Sequence, residues 1–364
     1  MEDKSGVTTW EGYKYPVLKE LIMHSFKRDP SISVLLLGHP GIGKSTMARE
    51  LAAELGLPVI ELRLAQIEPS ELTGMPYPNR KKKIFEWLIP DWAQIPLKNP
   101  AFIFLDEINS AVTKLHQAAA YEIVLDHRIK QHKFHPQTIV MAAGNLPEDD
   151  AMVSPMSSAL SNRFCHYILK VDTIAWLEWA IKNNISPDIR AFIAGGGEDA
   201  LYKKTQDITG AFPSPRSWEF ASRIAHENVF KDPLSQMRKN LVAGCIGEGL
   251  ATEFFAFLKG YKDIKTEDII MRGKIPDFSG AEPSFIYSVV FNVSRWLQVH
   301  DFRDEWKHNI AQFLKAPGVN ASYRVLFFRD LPMKYTKRIL NYYELADVAL
   351  QILKGLKSDA DIED

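Results

Sequence analysis

Short apolar runs alternate with segments of helical periodicity through the first part of the chain. Residues 16–27 place Val17, Leu18, Leu21, Ile22 and Phe26 at the spacing of one helix face. Asp29-Pro30 ends that helix, because the residue before proline is pushed out of the helical region. Ser33-Val34-Leu35-Leu36-Leu37 is a continuous apolar run, which suits a strand buried on both faces. A glycine-rich turn follows, then a helix from Lys44 to Leu55. Further strands are expected at Pro58–Leu62, Ala101–Leu105, Thr138–Ala143 and Phe164–Leu169, with a helix over 110–125. Residues 65–99 read as irregular, because Pro69, Pro76, Pro78, Pro90 and Pro96 punctuate them.

Strands that are apolar throughout and alternate with helices predict an α/β fold with a parallel sheet. The character changes after residue 172. Residues 173–260 read as helices broken by Gly195-Gly196-Gly197 and Pro213-Ser214-Pro215, and residues 285–315 and 333–356 also read as helical. The end, Lys357 to Asp364, is acidic and expected to fray. The expected domains are an α/β unit over 1–172, a helical lid over 173–228 and a mostly helical C-terminal extension over 229–364.

Composition adjusts this picture little. The 44 Lys and Arg nearly cancel the 45 Asp and Glu, which argues against a dedicated nucleic-acid coat or membrane binder. No apolar run reaches the roughly 18 residues of a membrane span. Met1 to Ser5 has no apolar core behind a basic start, so no signal peptide is read there. Cys165 and Cys245 are far apart and fit neither a disulfide framework nor a zinc site. They are expected to be buried small hydrophobes in a reducing cytoplasm.

The chemistry concentrates at Gly38-His39-Pro40-Gly41-Ile42-Gly43-Lys44-Ser45, followed by Thr46. This octapeptide fits G-x-x-x-x-G-K-[ST] between a buried strand and a helix, the context that motif requires. Glycines let the backbone curl so that several N–H groups face phosphate oxygens, and the helix adds the positive end of its dipole. Lys44 is expected on the β- and γ-phosphates and Ser45 on Mg²⁺. Phe102 to Leu105 then deliver Asp106 and Glu107 at the carboxyl end of a strand, where α/β sheets hold their ligands. Asp106 is expected to hold Mg²⁺, and Glu107 to polarise the attacking water.

At this point the sequence resembles the AAA+ ATPases, over residues 30–225. The resemblance implies ATP and Mg²⁺ as cofactors and gives roles to three further residues. Asn145 takes the sensor-1 position that orients the lytic water. Arg163, in Ser158–Phe164, takes that of an arginine finger reaching the neighbouring subunit's nucleotide, a contact worth roughly 10³–10⁵ in rate. Arg216, in Pro213–Glu219, takes the sensor-2 position on the lid, contacting the nucleotide of its own subunit.

Within that group the chain is similar to the MoxR-like proteins. Glu71-Leu72-Thr73-Gly74-Met75-Pro76 and Asp91-Trp92-Ala93 resemble their helix-2 insertion, which carries a small hairpin. Leu125 to Ile129 resembles the segment before a second hairpin. Arg128 there is either a second trans-acting arginine or an ordinary surface residue. The resemblance implies a homo-oligomeric ring, most simply a hexamer, that remodels a protein partner, often one with a von Willebrand A domain. The alternative is a nucleic-acid motor similar to the GTP-using subunit of modified-cytosine restriction systems, since Phe104–Asn109 looks alike in both groups. The last ~140 residues do not map onto a minimal lid of this type.

Three other features invite a reading. Arg80-Lys81-Lys82-Lys83 is either a solvated loop or a contact for phosphates or an acidic protein segment. Gly247 to Leu258 reads as a packed core helix that carries two glutamates. His127, His132 and His135 lack the spacing of a zinc site.

Overall fold

A computed structural model of the chain describes residues 12–110, 113–147, 149, 156–203, 210–226, 230, 232, 234–262, 266–281, 283–329, 331–342 and 345. The N-terminal pentapeptide, the acidic end and most of the helix expected over 333–356 lie outside these. The chain divides into two compact units, Met1–Ala175 and Trp176–Asp364, the division falling within α6 (Thr173–Lys182).

The first unit is built on five parallel strands: β1 (Val34–Leu37), β2 (Val59–Arg63), β5 (Phe102–Asp106), β8 (Ile139–Gly144) and β9 (Cys165–Ile168), in the order β2-β5-β8-β1-β9. Side chains alternate between the two faces of each strand. On one face Leu35, Ile103, Leu105, Val140 and Ala142 meet Ala119, Ala120, Ile123 and Val124 of α4 (Lys114–Val124). The intervening residues Val34, Leu36, Phe102, Phe104 and Met141 are equally buried. Beside them stand α2 (Lys44–Glu54), which touches β5 and β8, and α1 (Tyr15–Arg28), whose Phe26 ring meets Phe102 edge-on at 5.9 Å. Burial on both faces explains the continuous apolar runs.

That reasoning fails at the sheet margins. β2 alternates between exposed and buried residues, and every residue of β9 is only half-buried, because an edge strand has one neighbour. Cys165 lies in β9 and is therefore half-buried rather than buried, and Cys245 is half-buried too. Burial pushes the Cys245 thiol up from its ordinary range.

The segment expected to be irregular contains α3 (Pro69–Thr73) and an antiparallel hairpin of β3 (Met75–Asn79) and β4 (Ile84–Leu88), with Tyr77 opposite Glu86. Prolines normally forbid a strand by removing a ladder donor. Pro76 and Pro78 are two apart, so both missing N–H groups fall on one side of a free two-stranded ribbon. Gly74 closes its base at φ +80, and a Cβ there would stand 2.0 Å from the Leu88 carbonyl oxygen. A second, shorter hairpin pairs β6 (Arg128–Ile129) with β7 (His132–Lys133). The Lys130 ammonium at its turn lies 4.7 Å from the centre of the Trp87 ring, which ties the two hairpins together.

The second unit is helical among its described residues. Pro187–Leu201 forms α7, whose two halves meet at Gly197 (φ 66), the last of the three glycines. The proline-rich break opens α8 (Pro215–Ile224), with Ser214 and Ser217 capping each other. α9 (Gln236–Ile246) and α10 (Glu248–Lys262) follow. α10 buries Ala251, Phe254, Phe255 and Leu258 and leaves Glu248 and Glu253 exposed, the packed helix expected of that stretch. α11 (Thr266–Arg272), α12 (Pro283–Val299), α13 (Lys307–Lys315), α14 (Ala321–Arg329) and α15 (Met333–Leu340) enclose a further core. The helix expected over 285–315 is divided, because the turn between α12 and α13 brings Phe302 and Trp306 inward.

One charge is sealed inside this unit. Arg238 of α9 has a side chain 0% exposed and pairs with Asp188 of α7 at 3.1 Å. Its Nε donates to the Ala225 carbonyl at 2.8 Å, and its guanidinium lies about 6 Å from the Phe254 and Phe255 rings. Removing one member of a buried pair strands the other in low dielectric. Arg238→Ala is therefore expected to cost about 3–5 kcal/mol, read as a fall in the midpoint of urea unfolding, with Arg238→Met costing less.

Candidate functional site

The carboxyl ends of β1, β5 and β8 meet at one edge of the sheet. β1 pairs with β8 so that Leu37 faces Gly144, and β5 pairs with β8 so that Leu105 faces Ala142. The residues that follow Leu37, Leu105 and Gly144 are Gly38, Asp106 and Asn145. Three sequence-distant segments are thereby delivered to one place.

The loop after β1 curls through Gly41 (φ 78) and Gly43 (φ 106). Gly43 is the N-cap of α2, in the left-handed region that other residues avoid. No side chain caps that end, and the N-terminus of such a helix presents backbone N–H groups and a positive dipole end suited to an anion. The Lys44 ammonium donates to the carbonyls of Gly38 (2.6 Å) and His39 (2.9 Å) and to Asn145 Oδ1 (3.0 Å). Ser45 Oγ donates to Asp106 Oδ2 at 3.0 Å. Lys44 and Asn145 are thus bonded to each other, and so are the adjacent loop serine and the strand-end aspartate.

Glu107 follows Asp106 with φ +57, an uncommon conformation for a residue with a side chain. It is held from both directions: its own N–H donates to Asp106 Oδ1 (3.0 Å), and its carbonyl accepts from the Ser110 N–H (3.0 Å). Ile108 N–H then bonds to the Ala143 carbonyl (2.9 Å), fixing the turn to β8.

Sequence reasoning missed Asn109. Its buried carboxamide grips the backbone of Asn145 at both ends, with Nδ2 donating to the carbonyl (2.8 Å) and Oδ1 accepting from the N–H (3.0 Å). Gly144 leaves room for this grip: a Cβ there would lie 2.6 Å from Asn109 Oδ1. The available signal was a carboxamide three residues past the strand-end aspartate, which means nothing until β5 and β8 are known to be neighbours. Tyr15 was missed as well. Its ring edge packs beneath the loop, 3.9 Å from where a Gly43 Cβ would stand, and burial beside Glu50 pushes its phenol up.

Two of the expected arginines of the first unit stand apart from this set. Arg163 lies over the Tyr121 ring at 4.6 Å and donates to the Ala159 carbonyl at 2.5 Å, beside α5 (Ser158–Ser161). Arg128 pairs with Asp126 at 2.9 Å. Arg216 is exposed in the first turn of α8, in the second unit. Among the described residues no group of three or more His, Cys, Asp or Glu is gathered to hold a metal ion.

Residues 34–169 match the family model for the ATPase family associated with various cellular activities (AAA). Over those residues the five-stranded parallel sheet with flanking helices fits an α/β fold of the AAA+ kind. Among solved structures the chain is similar to NtrX from Brucella abortus (12% identity, 88% of this chain and 67% of that one, TM-score 0.40). It is also similar to a mutant form of RuvB from Thermotoga maritima (16% identity, 72% of this chain and 78% of that one, TM-score 0.33). Likenesses this weak carry no residue roles across. No curated protein matches the chain. No described helix is long and apolar enough to cross a membrane.

The Asn109 grip is testable. Asn109→Ala leaves two backbone groups of Asn145 without this partner, at an expected cost of about 1–3 kcal/mol. Gly144→Ala pushes the carboxamide away without removing it. Both variants are expected to lower nucleotide turnover while the far-ultraviolet circular dichroism stays native. Full turnover in both would remove the grip from the working site.

Proposed function

We propose that the chain hydrolyses ATP to ADP and phosphate and uses the cycle to remodel a partner protein, in the manner of the MoxR-like ATPases. The observation that carries the hydrolytic part is the junction of Lys44, Ser45, Asp106 and Asn145, whose side chains are paired by bonds of 3.0 Å at one sheet edge. Loop N–H groups and Lys44 bind the phosphates. Ser45 and Asp106 offer two hard oxygen donors side by side, which fits Mg²⁺ bound in company with phosphate oxygens. An ion held by these residues would neutralise charge on the phosphates. Glu107 takes a proton from water, and Asn145, fixed by Asn109, orients that water.

In this reading Arg163 acts on the nucleotide of an adjacent subunit and Arg216 ties nucleotide state to the lid. The site is then complete only in an oligomer, a hexameric ring being the simplest closed form. The partner is a protein, a von Willebrand A domain protein being the first to test. Glu107→Gln is expected to lower turnover about 10²–10⁴-fold while ATP still binds. Lys44→Ala is expected to lose binding itself. Undiminished turnover in Glu107→Gln would overturn the hydrolytic assignment.

The β3–β4 hairpin supports a partner-binding role. Met75, Tyr77, Ile84 and Leu88 are exposed on one face of it, with Phe85, 73% exposed, on the other, and a contiguous apolar face of this kind marks an interaction surface. At its tip Lys82 pairs with Glu86 at 2.8 Å, beside Arg80, Lys81 and Lys83. Tyr77 and Phe85 fall on opposite faces of the ribbon, so they do not form one stacking platform for successive bases. This favours protein over the nucleic-acid motor. Replacing Arg80, Lys81, Lys82 and Lys83 by Gln is expected to weaken stimulation by the partner and leave unstimulated turnover unchanged. Stimulation of the native chain by single-stranded DNA alone would move the assignment to the motor.

A further inference from the structure

A second connection to the phosphate loop lies outside the roles above. His39, the second residue of the loop, points its Nδ1 at both carboxylate oxygens of Asp149, at 2.7 and 2.8 Å. The Asp149 side chain is only 2% exposed, against 27% for His39. An ionised carboxylate only accepts, so Nδ1 carries the hydrogen. Asp149 sits four residues past Asn145, and its own N–H bonds back to the Leu146 carbonyl at 3.0 Å, which folds this short segment into a turn.

Both ends of that turn are tied to the loop. At one end Asn145 Oδ1 accepts from Lys44, and at the other Asp149 accepts from His39. Lys44 and His39 are themselves joined through the His39 carbonyl at 2.9 Å. Three residues of the loop, Gly38, Gly41 and Gly43, have backbones that are the least restrained of any, and Pro40 fixes only its own φ. A bond from a buried charge to the side chain of His39 fixes the loop at a residue with its own φ/ψ restriction. The turn carrying Asn145 is fixed by the same bond.

We propose that His39 and Asp149 form a latch that holds the phosphate loop open to the nucleotide and locks it to the turn carrying Asn145. Neither is a catalytic residue: both are positioning residues that act through the loop backbone. The latch raises nucleotide affinity by ordering the loop in advance, a cost that binding would otherwise have to supply. The inference rests on the nucleotide-hydrolysis reading above.

The experiment measures ATP and ADP dissociation constants with a fluorescent nucleotide analogue, and kcat at saturating ATP, on the full chain. His39→Leu removes the donor and leaves the Asp149 carboxylate without that bond. It is expected to weaken nucleotide binding about tenfold or more, with any fall in kcat at saturating ATP smaller than that loss. His39→Gln keeps an N–H that reaches the carboxylate and is expected to stay within about threefold of the native chain. Adding Asp149→Ala to His39→Leu removes the carboxylate as well. The pair is expected to bind no more weakly than His39→Leu alone, so the two losses do not multiply.

Multiplying losses, or equal affinities in His39→Leu and His39→Gln, would overturn the latch. If Asp149→Ala does not fold, the comparison of His39→Leu with His39→Gln decides alone, since both keep the carboxylate. A native chain that binds no nucleotide would overturn both this inference and the hydrolytic reading. A native chain that binds and hydrolyses ATP beside indifferent variants would overturn the latch only.

Discussion

The parallel pairing of β1 with β8 is the constraint from which the site follows. It sets Leu37 opposite Gly144, so the phosphate loop and the turn after Asn145 leave the sheet side by side. Parallel strands send their carboxyl ends in one direction, and the crevice outside those ends is where such sheets bind ligands. β5, on the other side of β8, contributes Asp106 and Glu107 to the same edge. Separation by one further position in this order would take Asp106 out of reach of Ser45, since adjacent strands lie about 4.8 Å apart.

Around that edge the polar groups are arranged so that each unusual feature is held by a neighbour. Glu107 occupies a left-handed conformation, and its own N–H and C=O groups are both bonded. Asn145 is gripped through its backbone by Asn109, which frees its side chain to face Lys44. Gly144 carries no side chain because the carboxamide of Asn109 occupies that space. Local strain of this kind persists only where surrounding structure fixes it, and functional sites are where it collects.

The second unit is stabilised differently. Trp218 is buried among Phe192 and Phe254, at ring separations of 5.8 and 5.7 Å, and its indole N–H donates to the Ala200 carbonyl at 2.9 Å. The aromatic cluster adjoins the Arg238–Asp188 pair, so the charge is paired, hydrogen-bonded and covered by rings at once. Removing either partner would leave the other charge buried without its counter-ion, which is why the pair must be kept or lost together.

The sequence by itself determined the central strands, the phosphate loop, Asp106 and Asn145. The first three rest on local rules: continuous apolar runs for strands buried on both faces, glycine spacing for the loop, and a carboxylate pair at the end of a strand for Asp106; Asn145 was singled out by the resemblance to the AAA+ ATPases. The edge strands were legible as strands but not in their burial, which depends on how many neighbours a strand has. The β3–β4 hairpin was expected only through the resemblance, because no local pattern says which side of the ribbon Pro76 and Pro78 leave without a donor. The tertiary structure alone decided that Asn109 meets Asn145, that His39 meets Asp149 and that Arg238 meets Asp188. These pairs are separated by 36, 110 and 50 residues. No short-range pattern encodes them, and they exist only once strand order and helix packing have brought the segments together.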